Sequence, residues 1–340
     1  MERQSPIIHY THPATDLVRT ARKRNTTYIG NIMEQYLASL PSKNLEPLWN
    51  RMNDMVPPLP KPMAKPHMWK YSTSLPDLLT AARLVPEEQA DRRVLMLVNP
   101  SIPPPHTTDT IYGGLQIVNP GESPPAHRHI AFACRFIIDG EGFTAIEGKK
   151  MSLKRGDLIV TPTWHWHDHG NEGEKPFVFL DMLNLPLFMH ARVHFTEGYS
   201  ETRYPSTPCD ESDWCHPWDP VEKDLRSQIG DHAIYRYKTR DGKQLSTSIG
   251  MQAERISPGK FSSASQTSSS FIYHCYEGEG YTTIDTPSGE RYTFDWVTKD
   301  TFAVPAWSKI QHFNASDENE AFLLAVNDDP FLDLLGLRHP

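Results

Sequence analysis

Residues 137–146 read IIDGEGFTAI and residues 275–284 read CYEGEGYTTI, so one pattern returns 138 positions later in the chain. A second pair follows, because VTPTWHWHDHGN (160–171) matches AVPAWSKIQHFN (303–314) at a spacing of 143. Self-similarity at a nearly constant spacing indicates that one structural unit occurs twice. The sequence therefore predicts a duplicated architecture.

The segments around these repeats predict β-structure. From about residue 93 onward, short runs rich in Val, Ile, Phe and Thr alternate with Gly, Pro and Asp, as in DLIVTP and FVFLDMLNLP. Strands this short with turns this regular are typical of an all-β barrel or sandwich. Together with the duplication, they predict two β-barrels in one chain.

The first 66 residues have a different pattern. Two apolar stripes at helical spacing predict helices, and their members are Tyr28, Ile32, Tyr36 and Leu40, then Leu45, Leu48, Trp49 and Met52. The segment VPPLPKPMAKP (56–66) holds five prolines, which exclude a helix or a central strand. Residues 1–66 are therefore predicted to form a helical arm and an extended connector.

The remaining chain divides into three predicted segments. Residues 67–194 form the first barrel and residues 233–340 the second. Residues 195–232 are polar and contain several prolines, which favours a linker between the barrels.

Composition narrows the classes of partner. The net charge is −8, with 34 Lys and Arg against 42 Asp and Glu, and the basic residues form no run that would bind nucleic acid. No stretch approaches the roughly 18 apolar residues of a membrane span, and no signal-like segment opens the chain, so we expect a cytoplasmic protein. Four cysteines without CxxC spacing predict thiols rather than a disulfide framework.

Three histidines in the first repeat predict a metal site. His127 and His129 are two apart, so on a strand both face the same side, while Arg128 faces away. His167 comes from a separate strand and completes a set of three imidazoles, which suit a transition metal better than Mg²⁺ or Ca²⁺. The alternative is a pair of strands whose histidine rings are merely hydrogen-bonded.

The second repeat lacks this set. The repeat spacings place Ser265, Thr267 and Ile310 where the first repeat has its three histidines, and Ile310 cannot bind a metal. His312 aligns with His169 instead. We therefore expect a second barrel without metal and with a structural role.

Two stretches carry a resemblance to a known family: PGESPPAHRHIAFACRFIIDGEG (120–142) and GDLIVTPTWHWHDHGNEGEKPFVFLDMLNLPL (156–187). Their histidine motifs resemble those of the cupin superfamily. More closely, they resemble the gentisate 1,2-dioxygenase family, which includes salicylate and 1-hydroxy-2-naphthoate 1,2-dioxygenases. The resemblance extends upstream through RRVLMLVNP (92–100) and YGGLQIVNPGE (112–122).

This resemblance implies a fold and an activity. Family members are homo-oligomeric (tetrameric) bicupins that hold Fe(II) through three histidines, here His127, His129 and His167. With O2 they open an aromatic ring between the carboxyl-bearing and the adjacent hydroxyl-bearing carbon. Most metal cupins add a glutamate ligand, but its expected positions are Ala133 and Cys134 here. An ortho-hydroxy carboxylate could therefore chelate the ion and still leave room for O2.

Further residues become candidates for the site. Arg135 has the strand parity of His129 and suits a substrate carboxylate, with Tyr112 and Gln116 as additional substrate contacts. His169 is expected to support the ligands or act as an acid or base. Asp181 is expected to hold a histidine ring or to balance Arg135.

Two departures from the family pattern bear on the substrate. Ala131 stands where the family has Gln, which predicts a wider and less polar pocket than gentisate needs. His165 stands where Thr is common, and it is a candidate for crowding or replacing a substrate contact.

Two other classes of function remain open at this point. One is a metal-dependent cupin isomerase, lyase or thiol oxidase that acts on a non-aromatic substrate. The other is a non-catalytic bicupin, such as a storage or binding protein. The sequence does not determine which aromatic carboxylate would be the substrate.

Overall fold

A computed structural model describes residues 30–86 and 92–339, which separate into two units between Leu59 and Pro60. The described part of the first unit is helical, with a helix over residues 30–39, 3₁₀ turns at Pro41–Lys43 and Leu48–Asn50, and a short helix at Met52–Met55. The predicted helical arm is therefore present. Within its first stripe Leu40 is buried, while Tyr28 lies outside the described residues.

The second unit contains two β-barrels, each made of two sheets. One strand precedes the first barrel along the chain, β1 (His67–Trp69). The following strands are β2 (Val94–Met96), β3 (Tyr112–Val118), β4 (His127–His129), β5 (Ala133–Asp139), β6 (Glu141–Ile146), β7 (Lys149–Lys154), β8 (Leu158–Thr161), β9 (His167–Gly170), β10 (Phe177–Leu183), β11 (Thr196–Gly198), β12 (Thr207–Pro208) and β13 (Cys215–His216). They form one sheet in the order β13-β8-β5-β10-β3-β2 and another in the order β11-β4-β9-β6-β7-β12.

The second barrel repeats this arrangement. Its strands are β14 (His232–Arg236), β15 (Gly250–Ile256), β16 (Ser265–Gln266), β17 (Phe271–Glu277), β18 (Glu279–Asp285), β19 (Arg291–Val297), β20 (Thr301–Val304), β21 (Lys309–Asn314) and β22 (Ala321–Asn327). Their sheets have the orders β1-β20-β17-β22-β15-β14 and β16-β21-β18-β19. The all-β fold of two barrels with an N-terminal helical arm is thus confirmed.

Four helices accompany the barrels in the described part of the second unit: Tyr71–Leu84, Leu185–His190, Trp218–Ser227 and Asp329–Leu335. In the third of these, Trp218, Val221 and Leu225 are buried at helical spacing. They join a core that also contains Phe136 from the first barrel and Phe322 from the second. None of the helices that the structure describes is both long and apolar enough to cross a bilayer.

The segment 195–232 is more ordered than its composition indicates. Strands β11, β12 and β13 all lie in it and pair with first-barrel strands β4, β7 and β8. Strands of two or three residues leave no periodicity in a sequence, and their partners lie far away in the chain. Conversely, β1 pairs with β20 of the second barrel. The domain boundaries at residues 66, 194 and 232 stay a prediction.

Candidate metal centre

The three histidines lie on two short, paired strands of the first barrel. β4 consists of His127–His129 and pairs with β9, with His127 opposite His167. The ring of His167 lies 4.2 Å from that of His127 and 4.9 Å from that of His129, measured between centroids. One ring nitrogen from each residue lies within 4.8 Å of the other two, and all three side chains are buried. One ion could contact all three.

Backbone carbonyls fix which nitrogen of each ring carries the proton. The Nδ1 atoms of His127, His129 and His167 lie 3.1, 2.7 and 2.8 Å from the carbonyl oxygens of Pro125, Ala131 and His165. A carbonyl only accepts, so each Nδ1–H donates and each Nε2 presents a lone pair.

Two of these Nε2 atoms lack a hydrogen-bond partner among the described residues. They belong to His127 and His167, and both are buried. Burial is the main cause that lowers the pKa of all three rings, to about 3 for His129, and nearby arginines add to the effect. Three neutral imidazoles with converging lone pairs are suitable ligands for a transition metal, whereas hydrogen-bonded core histidines would have partners for these atoms.

Among the described residues this group contains no carboxylate. Ala133 and Cys134 begin β5, which lies in the other sheet of the barrel. Burial raises the pKa of the Cys134 thiol, so it stays protonated and is a poor ligand. An ion held here would keep open coordination positions.

A buried ion pair lies on that other sheet. Arg135 on β5 is directly opposite Asp181 on β10, with 3.0 Å between Nε and Oδ1, and its Nη1 donates to Thr161 Oγ1 at 2.8 Å. Burial raises the pKa of Asp181 and outweighs the opposite effect of Arg135. The structure therefore brings Asp181 to Arg135, one of the two arrangements expected from the sequence.

Arg135 is buried, but not for the reason that strand parity gave, because it does not share a strand with His129. Residues 130–132 break the strand between β4 and β5, so parity does not run from His129 to Arg135. The chain crosses to the other sheet at this break. Arg135 therefore belongs to the wall opposite the histidines.

His169 lies next to the three-histidine group. Its Nδ1 is 2.8 Å from Thr144 Oγ1, its ring centroid is 5.6 Å from that of His167, and its buried Nε2 has no hydrogen-bond partner among the described residues. Burial holds its pKa well below the usual value, so the ring is neutral. It therefore has one nitrogen available for a further interaction.

β3 brings Tyr112 and Gln116 into the first barrel. Both side chains are buried, and Gln116 Nε2 has no hydrogen-bond partner among the described residues. Gly114, between them, makes room for the Tyr112 ring, since a Cβ there would lie 2.6 Å from the tyrosine oxygen. No pattern in the sequence pointed to this glycine.

The two residues that depart from the family pattern lie in different surroundings. Ala131 is fully buried in a small apolar cluster with Tyr112, Ala133 and Leu183. His165 precedes β9, and its ring packs against Trp214 at 5.6 Å. Although its backbone carbonyl contacts His167 Nδ1, the His165 ring packs on Trp214 and not on the three-histidine group.

Besides Gly114, three residues of this region were not predicted from the sequence: Thr144, Thr161 and Arg92. Thr144 could have been found, because the 138-residue spacing matches it to Thr282, which contacts His312 in the same way. Arg92 is half-buried, and its positive charge helps to lower the pKa of His127. Arg92 and Thr161 have no distinguishing pattern in the sequence.

Comparison with known proteins adds independent observations. Residues 114–183 match the cupin domain family. The chain is 32% identical to gentisate 1,2-dioxygenase 1 of Aquipseudomonas alcaligenes over 335 residues, covering 89% of this chain and 94% of that enzyme. The chain belongs to the gentisate 1,2-dioxygenase family.

Two other members of this group of ring-cleaving dioxygenases support the assignment. The 5-aminosalicylate 1,2-dioxygenase of Comamonas sp. is 30% identical, with 86% of each chain covered. The salicylate 1,2-dioxygenase of Pseudoaminobacter salicylatoxidans, solved as an adduct with gentisate, superposes with a TM-score of 0.82 at 25% identity, covering 90% of this chain and 93% of that one. The two barrels are therefore those of a bicupin dioxygenase.

Proposed function

We propose that this bicupin uses O2 to open the ring of a hydroxylated aromatic carboxylate between the carboxyl-bearing and hydroxyl-bearing carbons. The proposal rests on three neutral imidazoles that have no carboxylate beside them among the described residues and that lie opposite a buried arginine. Two of the relatives are named for gentisate and 5-aminosalicylate, and both compounds have a carboxylate next to a ring hydroxyl. Such a pair of oxygens can occupy two neighbouring positions on one ion.

The metal in this proposal is Fe(II), held by the Nε2 atoms of His127, His129 and His167. When bound, iron supplies the one-electron chemistry that lets O2 react with the ring. The carbonyls behind the three Nδ1 atoms hold the rings in the tautomer that the ion requires.

The protein side chains hold the substrate and move its proton. Arg135 pairs with the substrate carboxylate, and Asp181 and Thr161 fix the direction of its guanidinium. His169, held by Thr144, is a neutral imidazole that can accept the proton of the substrate hydroxyl. Tyr112 and Gln116 line the wall beside Arg135, and Ala131 leaves room for a ring system larger or less polar than gentisate.

The test is metal analysis followed by oxygen consumption with gentisate, salicylate and 1-hydroxy-2-naphthoate. We expect about one iron per chain and one O2 consumed per ring opened. Full iron loading without oxygen uptake on any of the three would contradict the proposal and favour a cupin of another class. Cytoplasmic location and a homo-oligomeric state are further parts of the proposal, tested by fractionation and light scattering.

A further inference from the structure

An additional imidazole lies at the edge of the sheet that carries the three-histidine group. His194 follows the helix Leu185–His190 and precedes β11, the strand that pairs with β4. Its ring centroid is 6.3 Å from that of His129. The side chain is half-buried, and its Nδ1 is buried without a hydrogen-bond partner among the described residues.

The second barrel contains a copy of this segment. The Phe195 carbonyl accepts from Ile130 N–H, as the His339 carbonyl accepts from Ser268 N–H. The Phe195 ring packs on Trp164 at 4.6 Å, as the His339 ring stacks on Trp307 at 5.9 Å. These matches align His194 with Arg338 of the second copy.

The two copies differ in what holds this residue. Arg338 contacts Asp329 and Asp333 of the preceding helix at 3.1 and 3.3 Å. The first barrel has Leu185 and Met189 at the corresponding positions, and neither side chain can bind an imidazole nitrogen. The helix that anchors the copy therefore provides no partner for His194.

The backbone that carries His194 is nevertheless well anchored. Glu197 pairs with Arg128 at 2.7 Å, and the Arg128 guanidinium lies 4.5 Å from the Trp164 ring and 4.4 Å from the Trp166 ring. Such cation–π contacts are attractive. The backbone is thus held in place, and His194 Nδ1 has no partner among the described residues although it lies near the three-histidine group. Such a nitrogen is suited to bind a ligand.

We propose that His194 determines substrate specificity by hydrogen-bonding to a polar ring substituent, a hydroxyl or amino group on a carbon away from the chelating pair. This inference rests on the proposed function. Arg135 and the three histidines hold the carboxylate edge of the ring between the two sheets. The opposite edge of the ring would then extend toward the edge of this sheet, where the His194 ring lies 6.3 Å from that of His129. A neutral imidazole nitrogen can donate to or accept from either substituent.

The experiment compares His194→Phe, His194→Gln and the control His190→Gln, which changes an exposed histidine four positions earlier. For each iron-loaded enzyme, kcat/KM is measured with gentisate and with salicylate, which lacks the 5-hydroxyl. We expect the gentisate-to-salicylate ratio to fall about tenfold in His194→Phe, the size of one lost hydrogen bond, and less in His194→Gln. The control should keep the wild-type ratio.

Anaerobic calorimetric titration with both compounds adds a readout that does not depend on turnover. The inference predicts weaker gentisate binding in His194→Phe at unchanged iron content. If wild type opens both rings and neither His194 variant moves the ratio or the relative affinity, the role of His194 is wrong and the proposed function stands. If wild type opens only 1-hydroxy-2-naphthoate, the role of His194 is wrong and the proposed function stands, and if it opens none of the three compounds, both fail. Loss of iron from the variants would assign His194 to the metal centre instead and overturn the proposal.

Discussion

The two barrels share contacts that hold their strands together but differ in the side chains of their interiors. Each keeps a buried Thr–His pair, Thr144–His169 at 2.8 Å in the first and Thr282–His312 at 2.7 Å in the second. Each also keeps an asparagine, Asn171 or Asn314, that donates to two backbone carbonyls. These shared contacts fix the strands, and they do not require a metal.

The differences lie at the positions that face the barrel interior. Strand register places Tyr273 and Ala325 where the first barrel has Arg135 and Asp181. The repeat spacing likewise matches Gln116 to Glu254, whose carboxylate accepts from Gln252 at 2.7 Å and from His232 at 2.8 Å. Among the described residues, the second barrel thus pairs its interior carboxylate internally and leaves His312 Nε2 without a partner, whereas the first leaves the Nε2 atoms of His127, His167 and His169 without partners.

The largest expected effect concerns metal retention. His127→Ala, His129→Ala or His167→Ala should each abolish it, because two imidazoles hold a transition ion far less tightly than three. Thr267→Ala, at the equivalent position of the second barrel, should leave the metal content unchanged. Elemental analysis of the purified variants checks this. A wild-type content near two ions per chain would break the comparison.

The next effect concerns Arg135. Arg135→Gln should raise the KM for the aromatic substrate by about 10- to 100-fold, because a charge-assisted bond to a carboxylate contributes roughly 1.5–3 kcal/mol. Asp181→Asn keeps the cation but removes its partner, so it should have a smaller effect. Steady-state kinetics at verified metal content measures both. An unchanged KM in Arg135→Gln would contradict its carboxylate role.

A smaller effect on metal affinity is expected from Arg203, which lies in the segment that follows the first barrel. Asp168, between His167 and His169, is fully buried and pairs with Arg203 at 3.1 Å, while its second-barrel counterpart Gln311 donates to the Ser262 carbonyl. Arg203→Ala should lower metal affinity about tenfold, as losses of outer contacts to a ligand strand usually do. Competition with a chelator measures this. Gln311→Ala is the matched control, and an equal effect would count against the difference between barrels.

A last effect, outside the metal centre, concerns the acid stability of the second barrel. Burial lowers the pKa of His312 to about 4, so between pH 6.5 and about 4 the unfolded chain binds a proton that the folded chain does not. Stability therefore falls as pH falls, by up to about 1.4 kcal/mol per pH unit for this residue. Denaturant unfolding of metal-free protein at several pH values should show a shallower slope in His312→Gln. Equal slopes would show that His312 does not contribute.

The sequence by itself determined the fold class and the central three-histidine group. Residues 137–146 and 275–284 are close enough in pattern to reveal the duplication. The two-residue spacing of His127 and His129 works because neighbouring positions on a strand face opposite sides, a rule that is local.

The tertiary structure decided what depends on contacts between distant segments. Parity could not place His165, which precedes its strand, nor the wall to which Arg135 belongs, because the chain changes sheets at residues 130–132. Arg203 lies in the predicted linker and His194 immediately precedes that segment, and β11, which pairs with a strand about 70 residues away, brings this part of the chain to the first barrel. The local sequence pattern predicts which way a side chain points on its own strand. The packing of the whole barrel determines which strand lies opposite.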